Sequence, residues 1–388
     1  MALTMNKDRP VITIVTNVYL PAIGGITNYI KGLVEVLQRR SHKVHVIAFP
    51  MYLAQREDKI ANRIIRRIIH ELLVIAFTFL ALFKILTLKF NRKPLILHSH
   101  SASFCLGIAI LAKIFSIKSL HTFHSPIETC SPRLRMLLPF APELVCVSEE
   151  HLKLYAKYCN ITKEMYVIPG GVDCYQYSPP NTDDRNRARA RIVEILGISD
   201  NTTPIILFVG RITREKGVDV LLDAAKILFR KNSKVIFLVV GPLDQTKEQI
   251  KYVKNLREQI DSSINFHLVG LIDHDDLLKA YQASDLMVTP SIWEEPSPMV
   301  VVEAMASGLP IVASKTGGLK SRIIDGVNGC LVSPGNSEDL ANTLLELLKH
   351  PIQIERMKKN ARKIALKKYS LETMADNYEK IYYKLIQF

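Results

Sequence analysis

The feature that most constrains this chain is a rhythm that runs through it twice. Short apolar runs rich in Val and Ile alternate with longer stretches of helical periodicity, the pattern of a parallel sheet covered by helices. In the first half the expected strands are Val11–Thr16, Val44–Phe49, Leu95–His98, Leu120–Phe123, Leu144–Val147 and Met165–Ile168. A polar stretch rich in Pro, Asn, Asp and Arg follows from Ser178 to Arg191; it has little to bury and reads as a boundary. The rhythm restarts at Ile205–Val209, Val235–Val240, Ile264–Leu268, Leu286–Thr289, Ile311–Ala313 and Cys330–Val332. The expectation is an α/β chain of two doubly wound, Rossmann-like domains facing a cleft, one over residues 1–180 and one over 181–370. Ligands of such sheets bind beyond the carboxyl ends of the strands, so residues that carry chemistry should follow strands directly.

A chain of 388 residues has room for two cores of ordinary size. Its net charge of +14 is uneven: residues 1–180 carry 22 Lys and Arg against 11 Asp and Glu, and the remainder 29 against 26. A basic first half can attract nucleic acid, anionic lipid or a phosphorylated substrate. Nucleic acid is not expected as a partner, because the surplus lacks interleaved aromatics and any recognition motif. The six cysteines (105, 130, 146, 159, 174 and 330) form no CxxC pair, which suits a reducing compartment. Met1 to Pro10 has no secretory layout, so a cytoplasmic location is expected.

One segment breaks the rhythm. Ile68 to Phe90 is the most apolar stretch, and Arg56, Lys59, Arg63, Arg66 and Arg67 precede it. Its uninterrupted apolar part, Leu72 to Phe83, falls short of the roughly 20 residues needed to span a bilayer. Two readings stand: a buried helix covering the sheet, or a basic, apolar element on a membrane surface near a lipid-borne acceptor.

The most informative motif is Pro290-Ser-Ile-Trp-Glu-Glu-Pro-Ser-Pro-Met-Val-Val-Val-Glu-Ala-Met-Ala-Ser-Gly308, directly after a strand. Ser297 suits an N-cap, Pro298 the first helical position, and Gly308 the C′ position before Pro310. The expected helix, Pro298 to Ser307, offers the free N–H groups of Met299 and Val300 to an anion. Glu303 lies on their face of the helix, and Glu295 in the loop before it. Carboxylates beside a phosphate site repel phosphate but accept hydroxyl groups, as from a sugar and a ribose.

A second anion site is Val209-Gly-Arg-Ile-Thr-Arg-Glu-Lys-Gly217, where Gly210 lets the chain turn. Arg211 and Lys216 are cations at a strand's carboxyl end, suited to a departing diphosphate; a well-placed donor lowers such a barrier by roughly 3 kcal/mol. Gly24 and Gly25, after the first strand, permit close approach of backbone to ligand ahead of a helix at about Thr27 to Arg40. The loop that reads the donor base is expected near His267–Ile272 and includes Val269.

His98, His100, His121 and His124 crowd two strand ends. No carboxylate or cysteine accompanies them at ligand spacing, so no metal is expected. Hydrogen bonding to sugar or acceptor suits His124, and a structural place suits His98 and His121. Asp273-His-Asp-Asp276 resembles a metal-binding DxD but is better read as the cap of a helix starting near Asp275.

With these residues in place, the whole chain resembles the retaining glycosyltransferases of the two-domain GT-B fold, family-four type, a group that includes bacterial mannosyltransferases and sucrose and glycogen synthases. The resemblance rests on Glu295-x7-Glu303 followed by Ala-Met-Ala-Ser-Gly, on Gly-Arg…Glu-Lys-Gly-Val-Asp at 210–219, on Pro-Gly-Gly-Val-Asp at 169–173, on Gly24-Gly25, and on Thr-Phe-His at 122–124. It implies that Arg211 and Lys216 bind the donor diphosphate, Glu295 the transferred sugar and Glu303 the ribose. It also implies that the amides of Met299 and Val300 meet the distal phosphate and that His124 is the active-site histidine. It implies further a UDP- or GDP-hexose donor, retention of configuration without metal or other cofactor, and a helix from about Leu371 to 388 crossing back onto the first domain. The chain departs from the family in having Glu295-Pro-Ser-Pro298 where Glu-Gly-Phe-Gly is common, so two possible donor amides are absent. The expected function is transfer of a hexose to an acceptor hydroxyl on a glycan, glycolipid or lipid-linked acceptor at the cytoplasmic membrane face, with an anionic membrane surface as a partner. A sugar-nucleotide epimerase or phosphorylase is the alternative of similar fold, and a basic nucleic-acid-binding protein the alternative of another class.

Overall fold

The protein is described by a computed structural model that covers residues 9–21, 24–49, 63–90, 94–124, 132–159 and 164–387. Twelve strands form two parallel sheets of six. The chain divides into two compact units: Met1–Gly171 with Leu371–Phe388, and Val172–Ser370.

In the first unit the sheet order is β2-β1-β3-β4-β5-β6. Its strands are β1 (Val11–Thr16), β2 (Val44–Ala48), β3 (Leu95–His100), β4 (Lys118–Phe123), β5 (Glu143–Cys146) and β6 (Met165–Val167). Successive strand residues point to opposite faces, and the core divides accordingly. Ile12, Ile14, Ile96 and Leu120 meet α1 (Gly25–Arg39) and the last helix on one face. Val11, Val15, Leu95 and Leu97 meet α2 (Arg63–Lys89) and α3 (Ser103–Ile114) on the other. Two shorter-range helices, α4 (Pro132–Leu137) and α5 (Glu149–Cys159), complete this unit before the chain leaves it.

Helix α2 carries two apolar stripes. Val74, Phe77, Ala81 and Ile85, at i, i+3, i+7 and i+11, are buried. Ile68, Leu72, Ile75, Phe79 and Phe83 are exposed. The helix is also longer than its uninterrupted apolar run. Arg67–Lys89 is long and apolar enough to cross a membrane by length and composition, which corrects the expectation from Leu72–Phe83 alone. Lys84 and Thr87 fit within a continuous helix because one stripe is anchored on the domain. Arg56 and Lys59 lie outside the described residues.

The second sheet runs β12-β11-β10-β7-β8-β9. Its strands are β7 (Ile205–Val209), β8 (Ile236–Val240), β9 (Phe266–Gly270), β10 (Leu286–Thr289), β11 (Ile311–Ser314) and β12 (Gly329–Val332). Helices α6 (Thr182–Leu196), α7 (Val218–Arg230), α8 (Lys247–Gln259), α9 (His274–Ala283), α10 (Met299–Ala306), α11 (Leu319–Arg322), α12 (Ser337–Lys349) and α13 (Pro351–Lys368) flank it. Ile205, Leu207, Ile236 and Leu238 face one apolar cluster; Ile206, Phe208, Phe237 and Val239 face the other.

The polar stretch Ser178–Arg191 is no linker over most of its length. Asn181 caps α6 by accepting the amide of Asp184. Ala188 and Ile192 are buried, and Arg189 reaches the carbonyls of Asn201, Thr203 and Ala283. The compact units therefore meet at Gly171/Val172 rather than at 180/181.

The last helix, α14 (Leu371–Gln387), belongs to the first unit and packs beside α1. Tyr29 and Tyr378 hydroxyls are 2.7 Å apart, and a Cβ placed on Gly32 would lie 2.4 Å from the side chain of Leu371.

Candidate functional site

Each sheet reverses its winding once. In the second, the chain runs outward from β7 through β8 to β9 and then returns to β10 on the other side of β7. The crevice at such a reversal is where doubly wound sheets hold ligands. The loops there are the ones that follow β7 and β10, which carry Gly210–Gly217 and Pro290–Pro298.

These two loops are tied together by backbone. Gly217 has φ 68°, and a Cβ on it would sit 2.0 Å from the carbonyl oxygen of Pro290. Only glycine, among the residue types, combines that conformation with that approach. The amide of Ile292 donates to the Glu215 carbonyl at 3.0 Å.

As a result Lys216 reaches Glu295, 79 residues further on, and donates to its carboxylate. Glu295 is buried and also accepts the hydroxyl of Ser291 at 2.7 Å. The Lys216 ammonium stands 5.6 Å from the centre of the Trp293 ring. Arg211, on the same loop, is half exposed and lies 3.4 Å from Glu215.

A third loop, after β11, holds Glu295 by its backbone and Glu294 by its side chain. Gly318 donates its amide to the Glu295 carbonyl at 2.6 Å, and Gly317 donates to the Glu294 side chain. A Cβ on Gly317 would lie 2.3 Å from the Glu295 carbonyl oxygen. Gly317 and Gly318 are not among the residues expected from sequence, although a Gly-Gly pair just after a strand is the signal used for Gly24 and Gly25.

Helix α10 begins one residue later than expected. Pro298, with φ −68° and ψ 114°, is its N-cap, and no side chain caps it. Ser297 does not serve, because its hydroxyl accepts a hydrogen bond from Arg322 instead. Arg322 is 2% exposed and sits over the Tyr369 ring at 5.0 Å, so a buried guanidinium stands beside the helix start. The amides of Met299 and Val300 have no preceding turn of helix to reach. At the other end Gly308, φ 72°, is the C′ residue, with its amide on Met305.

Glu303 is buried, not solvated. Tyr281 donates its hydroxyl to Glu303 at 2.8 Å and lies 3.4 Å from the Val300 carbonyl. Burial raises the Glu303 carboxyl to about 7, against the opposing pull of the Tyr281 bond. Val269 lies within β9 itself, since that strand runs two residues beyond its expected end. It lines a cavity of about 500 Å³ with Arg257, His267 and Leu268. Val269 and Val300 both border the core cluster that contains Tyr281.

Asp273 caps α9 by accepting the amide of Asp276, whose own carboxylate is held by Arg191. The DxD-like triplet thus has a structural task.

In the first unit the reversal lies between β1 and β3. Gly24 is the N-cap of α1 in extended backbone, and a Cβ built on it would meet nothing within 4 Å. Gly25 is the first helical residue, two earlier than expected; Ala22 and Ile23 lie outside the described residues. His124 Nε2 is 2.9 Å from His100 Nδ1, and its ring meets Tyr29 edge-on at 4.7 Å. His98 lies 2.8 Å from both Tyr382 and Thr122, and His121 2.8 Å from Ser99. Burial drives the histidines toward neutrality: His121 and His124 titrate at about 3, and His98 and His100 well below the ordinary range. Among the described residues, no group of His, Cys, Asp and Glu is arranged to hold a metal.

Comparison with known proteins gives this geometry a class. The family profile described as "Glycosyl transferases group 1" matches residues 194–364, and "Glycosyltransferase Family 4" matches residues 23–176. An uncharacterized glycosyltransferase of Methanocaldococcus jannaschii is 29% identical over 392 residues, 96% of this chain and 97% of its own. Among solved structures, sucrose-phosphate synthase from Thermosynechococcus elongatus superposes with TM-score 0.77 at 23% identity, over 97% of this chain and 99% of that one. Anabaena HepE in complex with UDP-glucose does so with TM-score 0.70 at 20% identity, over 96% and 99%. The two profiles, which together span most of the chain, make it a glycosyltransferase. The chain belongs to the GT-B glycosyltransferases of family-four type.

Proposed function

We propose that the chain is a retaining hexosyltransferase that moves a hexose from UDP or GDP to the hydroxyl of a glycolipid or lipid-linked acceptor at the cytoplasmic membrane face. The observation that carries this reading is the Lys216–Glu295 pair on the loops after β7 and β10, at the reversal of the second sheet, with α10 starting four residues after Glu295. A cation, a carboxylate and a helix start on these loops are the set a sugar diphosphate requires.

In this reading Lys216 and Arg211 neutralise the diphosphate, and the amides of Met299 and Val300 meet its distal phosphate. The Arg322 guanidinium beside Ser297 makes up part of what Pro296 and Pro298 withhold. Glu303 accepts the ribose hydroxyls, Glu295 those of the sugar, and the β9 edge at Val269 meets the base. Gly210 lets the phosphates approach the backbone. On the first unit Gly24 and Gly25 are assigned to the donor, and His124 to the sugar or the acceptor. The bond from the anomeric carbon to the diphosphate oxygen breaks, the bond to the acceptor oxygen forms on the same face, and the departing diphosphate takes the acceptor's proton. Fixed cations supply the charge stabilisation, and the step uses no resident metal or other cofactor.

The test is a thermal-unfolding screen against nucleotide sugars. A donor at 100 times its Kd should add about 2.7 kcal/mol. The product's anomeric configuration, read by NMR from reactions run with and without EDTA, then tests retention and metal independence. If no nucleotide sugar shifts unfolding and none is consumed, the reading fails.

A further inference from the structure

Among the exposed features of the first unit, one is large and continuous. The outward stripe of α2 consists of Ile68, Leu72, Ile75, Phe79, Leu80 and Phe83, and Phe79 and Phe83 are each 70% exposed. Single exposed apolar residues need no account, whereas a helix-long stripe opposite a buried one does. The buried stripe of Val74, Phe77, Ala81 and Ile85 packs against Phe49 and Phe104, with the Phe77 ring 5.3 Å and 5.8 Å from theirs. That anchorage holds the helix on the domain and leaves the opposite side free to meet an apolar medium.

The charge around it selects the medium. From residue 63 to 142 the sequence carries eleven Lys and Arg against two acids, Glu71 and Glu128. Glu71 is bridged by Arg133 at 2.9 Å, so the acid on α2 is neutralised by α4. Lys89, at the end of α2, reaches the Phe115 carbonyl, and Lys113 reaches the Phe140 carbonyl at 3.1 Å. These bonds draw together segments that expose Ile114, Phe115, Met136 and Phe140. Basic residues flanking exposed aliphatic and aromatic side chains match an anionic lipid surface. A second copy of so basic a segment would repel it.

We infer that α2 is a membrane-docking helix that lies in the interface of an anionic bilayer, its outward stripe in the acyl region and its basic neighbours among the headgroups. It does not span, because its inner stripe belongs to the domain core. The inference deepens the lipid-acceptor part of the proposed function and rests on that reading only for its purpose, not for its physics.

The test is co-sedimentation of the full chain, without donor, with vesicles of equimolar phosphatidylcholine and phosphatidylglycerol, and with phosphatidylcholine alone. The chain should bind the anionic vesicles, lose affinity as salt rises, and bind the neutral ones weakly. Phe79→Ser with Phe83→Ser should weaken partition by at least about tenfold, while the unfolding midpoint and donor hydrolysis stay unchanged. No binding of the wild-type chain, equal binding by the double variant, or a dimer that the double variant dissociates would each overturn the inference. Donor hydrolysis without vesicle binding would overturn the docking helix alone. Vesicle binding without turnover of any nucleotide sugar would overturn the transferase reading and leave the helix standing.

Discussion

Lys216 and Glu295 neutralise one another inside the loops that follow β7 and β10, so a cation at one strand's carboxyl end is held in place by a buried carboxylate 79 residues further on. Glu295 is buried, and the Lys216 side chain is 17% exposed. Removing the lysine strands a buried carboxylate. Lys216→Ala should therefore cost about 3 kcal/mol of stability as well as about 100-fold in turnover. Adding Glu295→Ala should recover part of the stability, a coupling that a double-mutant cycle in urea would read. Strict additivity would break the pairing argument. Glu303→Ala, by contrast, should chiefly weaken donor binding.

Gly217 should tolerate nothing larger. Gly217→Ala adds a Cβ against Pro290 at a left-handed φ, and should cost about 2 kcal/mol or more in urea together with transfer activity. A variant of wild-type stability would mean that the two loops part at no cost.

Glu303 gives stability a slope with pH. Its carboxyl is raised to about 7, while an unfolded glutamate ionises near 4.5. Between those values the folded state keeps a proton that the unfolded state has lost, so stability falls as pH rises, by about 3 kcal/mol across the window. Glu303→Gln should remove that slope and gain on the wild type between about pH 5 and pH 8. Parallel stability profiles for the two proteins would refute the assignment. Donor affinity should run the other way, rising as the carboxylate ionises to accept ribose hydroxyls.

His98, His100, His121 and His124 of the first unit act in the opposite sense. They are held neutral, with His121 and His124 at about 3, so the unfolded chain takes up protons that the fold refuses below about pH 6.5. Stability of that unit should drop as pH falls from there. The sole tryptophan, Trp293, lies in the other unit, whereas Tyr29, Tyr378 and Tyr382 surround His98 and its neighbours. On acidification the near-ultraviolet tyrosine signal should be lost at a higher pH than the tryptophan emission shifts. The reverse order would contradict the histidine argument.

Much of this was legible in the chain. All twelve strands overlap the expected apolar runs, with β9 shifted by two residues, because a sheet buried on both faces needs apolar residues at nearly every position. Positions after strands singled out Arg211, Lys216, Glu295 and Glu303 as candidates, and the structure places them on the loops after β7 and β10 and on α10. That Lys216 grips Glu295 was not legible, since the contact depends on how Gly217 lets two loops cross. Arg189 and Arg322 also escaped notice. A buried arginine looks in sequence like an exposed one, and only the carbonyls of Asn201, Thr203 and Ala283, or the hydroxyl of Ser297, reveal the difference. Helix α2 defeated a single answer because it carries two apolar stripes, one buried and one exposed.

Helix α14 imposes an order of assembly during synthesis. The first unit takes Met374, Tyr378 and Tyr382 into a core laid down by Ile12, Tyr29 and Leu33. Those residues leave the ribosome some 350 positions later, a separation that loop closure must bridge. Val172–Ser370 is contiguous and can close on itself as it emerges. The domain translated first is therefore the one completed last, and its apolar α1 face waits for its cover while its partner matures.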